Sequence, residues 1–378
     1  MKKIFMFVNV DWFFLSHRLV IAKEALKNNV DMNIFTDFTK SHQPKDYLGF
    51  KLRISPLNRV NLGFARLFLE FYRAYCLVKK EEPELIHAVT IKPILFLGLI
   101  ARFTKTPFIG AISGLGPAFS SDSLLKILRM KIIILVYRIV FGGKKSFAIC
   151  QSNHDRDVLF SNNIASQDQI TMIHGSGVDL DQYRPIQKAS SNRHIVFMAS
   201  RLLVNKGIIE FCKAAQIVKD NFSGDVDFKL AGSVDSSSPS SISLEDVIYL
   251  CKISQVEYLG EVKCVSNLLA EADLFAYPSY YPEGIPKVLL EAASCGTAII
   301  TTDHPGCRDA IIKNESGVLV PIRDAEALAS EIIVLLNDQK KTAKLGARGR
   351  LLAEESYSEQ EVVAKHYALY EEIIKKIP

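Results

Sequence analysis

No run of about 18 uncharged apolar residues occurs in the 378-residue chain, so no transmembrane helix is expected. The opening stretch "MKKIFMFVNVDWFF" lacks a small-residue cleavage site and is interrupted by Asp11, which predicts a first buried strand rather than a signal peptide. None of the seven cysteines falls in a C-x-x-C pair, and the set is odd and scattered. Such a set points to reduced thiols and a cytoplasmic protein. The eight histidines include no H-x-x-x-H pair, so no zinc site is visible. "GLG" at 114–116 lacks the third glycine of a dinucleotide fingerprint.

Charge is present but unevenly placed. Residues 1–184 carry 25 Lys+Arg against 15 Asp+Glu, net +10, and residues 185–378 carry 21 against 26, net −5. A basic first half implies an anionic partner such as a phosphate or a membrane surface. Within it, residues 123–145 hold six basic residues, no acidic one and many aliphatics. A basic apolar helix of this kind fits contact with anionic lipid, or equally a buried crossover helix whose cations snorkel.

Short apolar runs alternate with helical patterns along the whole chain. "KIFMFV" leads into "SHRLVIAKEALKNN", and after Arg184 the pattern restarts with "HIVFMAS" and "GIIEFCKAAQIVKDN". This predicts an α/β protein with two doubly wound, Rossmann-like domains. The boundary is read at 1–184 and 185–361, within the polar stretch "DLDQYRPIQKASSNRH". The Ser-rich segment 232–243, "GSVDSSSPSSIS", reads as a mobile surface connection. Ligands are expected at the carboxyl ends of the strands, in the cleft between the domains.

Two motifs carry chemistry. In "PSYYPEGIPKVLLEAASCGTAII", Glu283 precedes Pro286 and Glu291 follows it, eight positions apart. Proline suits the first turn of a helix. Glu283 is therefore expected on the loop, Glu291 about one and a half turns into the helix, and Gly296 at its C-cap. The amides of Gly284, Ile285, Lys287 and Val288 then surround a helix amino end able to take a phosphate. Two carboxylates at opposite ends of that phosphate suit hydroxyls on both sides of it, the layout of a nucleoside diphosphate sugar. Spacing alone equally permits a dipole-complementing charge plus one buried glutamate. In "ASRLLVNKG", Arg201 and Lys206 flank a loop ending at another helix start. Two cations beside that end favour a diphosphate and would stabilise a phosphate leaving group.

These stretches, with "HGSGVDLDQYRP" and the closing "YSEQEVVAKHYALYEEI", resemble the retaining GT-B glycosyltransferases, in particular family 4. Glu283 and Glu291 match that family's E-x₇-E motif. "EGIPKVLLEAASCGTAIITTDHPGCRDAI" and "ISGLGPAF" are similar to bacterial enzymes building O-antigen, capsule or N-glycan repeats on undecaprenyl diphosphate. Among those are lipid-linked α1,3-N-acetylgalactosaminyltransferases. The resemblance implies two facing domains, with the C-terminal helix from about 362 packing back on the first. It implies diphosphate binding by Arg201 and Lys206, sugar hydroxyls on Glu283, ribose on Glu291, and base contacts near Leu259 and Gly260. Pro286 and its neighbours Gly284, Ile285, Lys287 and Val288 would line the donor, and Gly114 and Gly116 would stand on the first-domain side.

Two departures stand out. The first strand–helix loop reads "NVDWFFLSHR" where many relatives carry a glycine pair. "AISGLGPAFS" stands where many carry a histidine. That histidine contact is not carried over, and His17 becomes the candidate, as a substrate contact or as a structural helix-end histidine. Of the three D-x-D stretches, at 155–157, 179–181 and 225–227, none follows a strand facing the second motif, and no metal or other cofactor is expected. The implied partners are a UDP-sugar and a polyprenyl-diphosphate-linked saccharide, with no nucleic acid. The implied location is peripheral, on the cytoplasmic face of the inner membrane. A sugar-nucleotide epimerase of like architecture and a silent partner of glycan assembly stay open as alternatives.

Overall fold

The computed structural model describes residues 2–39, 49–57, 63–115, 124–188, 193–236 and 238–375. Two compact units result: 1–176 with 360–378, and 177–359. The first is built on seven strands: β1 (Lys3–Phe7), β2 (Asp31–Thr36), β3 (Lys51–Ile54), β4 (Leu85–Val89), β5 (Phe108–Ile112), β6 (Ser146–Cys150) and β7 (Ile170–Met172). They lie parallel in the order β3-β2-β1-β4-β5-β6-β7. Sequences such as "LIHAV" and "FIGAI" are buried at every position, as strands covered on both faces must be. Alternation along β1 divides the core. Phe5 and Phe7 pack with Leu97, Tyr137 and Phe141 on one face, and Ile4 and Met6 with Ile21 and Tyr370 on the other.

That second face is closed by the last helix, Glu359–Lys375. Tyr370 and His87 hydrogen-bond at 2.6 Å, and the Tyr367 hydroxyl donates to the Ile21 carbonyl at 3.1 Å. Burial pushes the neighbouring His366 down to about 3, so it packs as a neutral ring.

The second unit has six parallel strands: β8 (Arg193–Ala199), β9 (Asp225–Ala231), β10 (Val256–Gly260), β11 (Leu274–Tyr277), β12 (Ala298–Thr302) and β13 (Gly317–Val320). Their order is β10-β9-β8-β11-β12-β13. The order reverses between β8 and β11, which makes the carboxyl ends of those two strands the switch point of a doubly wound sheet.

The units divide at 176/177 rather than at 184/185. The reason is local pairing: the Val178 amide donates to the Tyr357 carbonyl at 2.8 Å, and the Glu359 amide to the Val178 carbonyl at 3.1 Å. Val178 and Tyr183 are buried in the core of the second unit, so "DLDQY" belongs to that unit despite its polar appearance.

Candidate functional site at the switch point of the second sheet

Both motifs emerge from the switch point. Arg201 and Lys206 follow β8, and Glu283 and Glu291 follow β11. Lys206 closes a single helical turn, Val204–Lys206, before the helix Ile208–Asn221. The intervening Gly207 has φ +81°, and a Cβ there would lie 2.2 Å from the Pro278 carbonyl oxygen. Only glycine lets the two loops approach this closely. The Tyr280 amide then donates to the Asn205 carbonyl at 2.9 Å, locking one loop to the other.

The approach buries Lys206 to 4% exposure. Its ammonium donates to the Tyr277 hydroxyl at 2.8 Å and pairs with Glu283. The Tyr277 hydroxyl in turn donates to Glu283 at 3.3 Å. Burial, then the Glu283 charge, push the Tyr277 phenol well above its ordinary value, so it stays a neutral donor. The ammonium also lies 4.8 Å from the centre of the Tyr281 ring, and the Arg201 guanidinium 5.6 Å from the same ring. One aromatic ring thus lies within cation–π range of both cations. Arg201 donates to Asp235 at 2.7 Å.

Asp235 lies in the Ser-rich segment expected to be a mobile connection. The segment is instead tied to the site. Leu203 and Ser241 form an antiparallel bridge, Ser240 donates to the Asn205 side chain at 3.3 Å, and Ile242 is buried. Serine-rich composition signals low hydrophobicity, but here the small side chains serve loop–loop hydrogen bonds.

Pro286 is the N-cap of the helix Lys287–Ser294, one residue ahead of the expected first turn. Gly284, Ile285 and Pro286 are buried, and Lys287 and Val288 are partly exposed at the helix start. Gly296, with φ +70°, lies one residue past the C-cap Cys295. Gly306 supports the loop from beneath: a Cβ there would lie 2.1 Å from the Gly284 carbonyl oxygen and 2.7 Å from that of Glu283.

Glu291 is hydrogen-bonded to the Tyr183 hydroxyl, and Lys287 is a nearby charge. Burial raises its carboxyl above the ordinary range although both neighbours pull the other way. Arg350 fixes this corner by donating to the carbonyls of Tyr183 at 3.1 Å and Ser294 at 2.8 Å. Leu259 and Gly260 end β10. Gly260 has φ +71° and open space beside it, and its carbonyl accepts from the Gly232 amide at 2.8 Å. Gly232 in turn lies against the Ser200 backbone. A continuous backbone surface therefore joins Gly260 to Arg201.

The first unit holds the remaining candidates. His17 ends the helix Asp11–His17, with Nδ1 2.6 Å from the Ser16 hydroxyl and its ring stacked on Phe13 at 4.2 Å. Gly114, at φ +91°, follows β5. Arg18 links their loops by donating to the His17 carbonyl and to the Ser113 hydroxyl. Gly116 lies outside the described residues. The D-x-D aspartates do local work: Asp155 accepts from the Leu115 amide, Asp179 from the amides of Asp181 and Gln182, and Asp227 pairs with Arg193. Tyr183, Asp235, Tyr277, Tyr281 and Gly306 were not singled out from sequence. Only their position inside the two motif stretches and the adjoining loops could have flagged them.

Two family models match along the chain: "Glycosyl transferase 4-like" over residues 3–152 and "Glycosyl transferases group 1" over residues 179–352. The chain is a GT-B glycosyltransferase of the family 4-like type. One relative of this glycosyltransferase is the N,N'-diacetylbacillosaminyl-diphospho-undecaprenol alpha-1,3-N-acetylgalactosaminyltransferase of Campylobacter jejuni, 28% identical, with 96% of this chain and 99% of the relative covered. Another is the UDP-Gal:alpha-D-GlcNAc-diphosphoundecaprenol alpha-1,3-galactosyltransferase of Escherichia coli, 25% identical over 85% of this chain and 84% of that one. Among solved structures, a glycosyltransferase from Rickettsia africae superposes with a TM-score of 0.81 at 19% identity over 99% of both chains. Anabaena HepE in complex with UDP gives 0.77 at 16% identity over 98% of this chain and 100% of that one.

The raised carboxyl of Glu291 makes a signed prediction. A carboxyl raised on folding contributes stability that is complete below its unfolded value of about 4.3 and is lost as pH rises through its folded value. Glu291→Gln should therefore melt above the wild type at pH 7.5, by about 2–4 °C for each kcal/mol of relieved burial. The gain should shrink toward pH 4. Thermal denaturation of both proteins across pH checks this, and a lower melting temperature for the variant at pH 7.5 contradicts it.

Proposed function

We propose that this glycosyltransferase moves an N-acetylhexosamine from a UDP-sugar to an undecaprenyl-diphosphate-linked saccharide, with retention of anomeric configuration and without a metal ion. The observation that carries the reading is the Lys206–Glu283–Tyr277 cluster beside Arg201, eight residues ahead of the carboxyl of Glu291, which burial raises. The names of the Campylobacter and Escherichia coli relatives, both acting on diphosphoundecaprenol-linked sugars, support the acceptor class. The UDP in the second name supports the donor.

In this reading the donor diphosphate settles against Arg201, Lys206 and the amino end of the helix Lys287–Ser294. Its charge takes over part of the neutralisation of Lys206, which leaves Glu283 free to accept from sugar hydroxyls. Glu291 takes the ribose diol, and the Leu259–Gly260 backbone edges the base. The acceptor hydroxyl attacks the anomeric carbon on the face from which the diphosphate departs. The carbon–oxygen bond to phosphate breaks with its electron pair on the leaving oxygen, which receives the acceptor's proton. Arg201 and Lys206 stabilise the charge growing on that oxygen. No protein nucleophile is needed. The nearby thiols of Cys295 and Cys307 are pushed up to about 12 and about 11 by burial and are inert at neutral pH.

The direct test incubates the enzyme with a panel of sugar nucleotides and a synthetic polyprenyl-diphosphate saccharide, with and without excess chelator. Transfer from a UDP-N-acetylhexosamine with an unchanged anomer, undiminished by chelator, is expected. Isomerised donor in the absence of acceptor would point to an epimerase, and loss with chelator rescued by Mn²⁺ would reinstate a metal. In the same assay Arg201→Ala and Lys206→Ala should each lower turnover by about 10²-fold or more. Near-wild-type turnover in both would remove them from the leaving-group site.

A further inference from the structure

The three side chains of the cluster are not held alike. Lys206 closes a single helical turn and Glu283 stands on a loop, whereas Tyr277 is the last residue of β11. Its backbone pairs with Thr301 on β12, and the Thr301 hydroxyl donates to its carbonyl at 2.8 Å. Its ring is buried and stacked on Phe275, two positions back on the same face of the strand. Side chains carried on strands are placed more precisely than side chains carried on loops, so the phenol oxygen is the fixed point of the cluster. It accepts from the Lys206 ammonium at 2.8 Å and donates to Glu283 Oε1 at 3.3 Å. Protonated and uncharged, it serves both partners at once.

We propose that Tyr277 is a positioning residue for Glu283: when the donor diphosphate draws the Lys206 ammonium away, the phenol hydroxyl stays bonded to the carboxylate and keeps it in place for the hydroxyls of the donor sugar. The inference rests on the proposed function, in which Lys206 meets the diphosphate and Glu283 the sugar. The problem it answers is electrostatic. Among the described residues the Glu283 side chain hydrogen-bonds only with Lys206 and Tyr277. Once Lys206 turns to the diphosphate, the carboxylate stands beside added negative charge and is repelled by it. A second cation at position 277 would itself be drawn to the diphosphate, whereas a neutral phenol fixed on a strand is not. Both of the Glu283 bonds fall on Oε1, which leaves Oε2 to accept from a sugar hydroxyl. Phenylalanine at position 277 would fill the same space and remove only the oxygen.

Tyr277→Phe tests it in the full chain. The donor is the UDP-N-acetylhexosamine that the sugar-nucleotide panel selects, the acceptor is the synthetic polyprenyl-diphosphate saccharide, and UDP alone is the binding probe. UDP affinity should stay within about 2-fold of wild type, which also reports an intact fold. The kcat should fall by about 10-fold or more, as expected for loss of a hydrogen bond to a charged group. Donors deoxygenated at one ring position at a time give a second readout. The donor on which Glu283→Gln loses most of its penalty identifies the hydroxyl that Glu283 holds. Tyr277→Phe should lose its own penalty on that same donor and on no other, because the phenol acts only through the carboxylate. A penalty equal on every donor, a UDP affinity that falls in parallel with kcat, or a wild-type kcat in Tyr277→Phe would overturn the proposal. With Glu283→Gln still impaired, any of these leaves the proposed function standing. Wild-type kcat in Glu283→Gln would instead sink the proposed role of Glu283, and that of Tyr277 with it.

Discussion

The candidate site depends on one ion pair held inside the protein, between Lys206 and Glu283. Lys206 is almost wholly covered, and a buried charge left without a counter-charge is strongly destabilising. Glu283 supplies that counter-charge, and the neutral Tyr277 hydroxyl accepts a further hydrogen bond from the ammonium. Much else follows from holding three side chains from two loops at bonding distance. The Gly207 turn must press against Pro278, Gly306 must pack under the Glu283–Gly284 backbone, and the Asn205 carbonyl must pin the Tyr280 amide. Each is a point where a larger residue or a looser loop would separate the ion pair. The pair is also chemically poised. In the proposed function it is the part of the site that the donor diphosphate would perturb most, because the diphosphate would compete with Glu283 for Lys206.

The sheet supplies the direction. β8 and β11 are neighbours at which the strand order reverses, so both motif loops emerge side by side at the switch point. Cations come from one loop and carboxylates from the other. The helix Lys287–Ser294 adds its positive end and carries Glu291 a turn further back, where Tyr183 and Arg350 hold the corner.

The strand–helix alternation was legible from the chain because parallel strands covered on both faces must be short and apolar. The two motifs were legible because proline and glycine mark where loops become helices. Pairings between distant segments were not. Lys206 and Glu283 are 77 positions apart, and nothing in either stretch says that they meet. Asp235 escaped notice because serine-rich composition resembles a solvated loop, whereas its partner Arg201 lies 34 positions away. The unit boundary was set eight residues late because "DLDQYRP" looks like a linker, and its role is fixed only by the backbone pairing of Val178 with Tyr357. The basic apolar segment 123–145 was ambiguous on a helical wheel until the packing of Tyr137 and Phe141 showed which side faces the core.

In the proposed function Glu283 and Glu291 hold opposite ends of one donor. Steady-state kinetics and UDP affinity in Glu283→Gln and Glu291→Gln test it most directly. Contacts near the reacting sugar tighten in the transition state, so Glu283→Gln should lower kcat with UDP affinity unchanged. Contacts to the ribose change little during reaction, so Glu291→Gln should raise the donor KM and weaken UDP binding by about 10- to 150-fold. Weakened UDP binding in Glu283→Gln with a kcat defect confined to Glu291→Gln would mean that the donor lies the other way round.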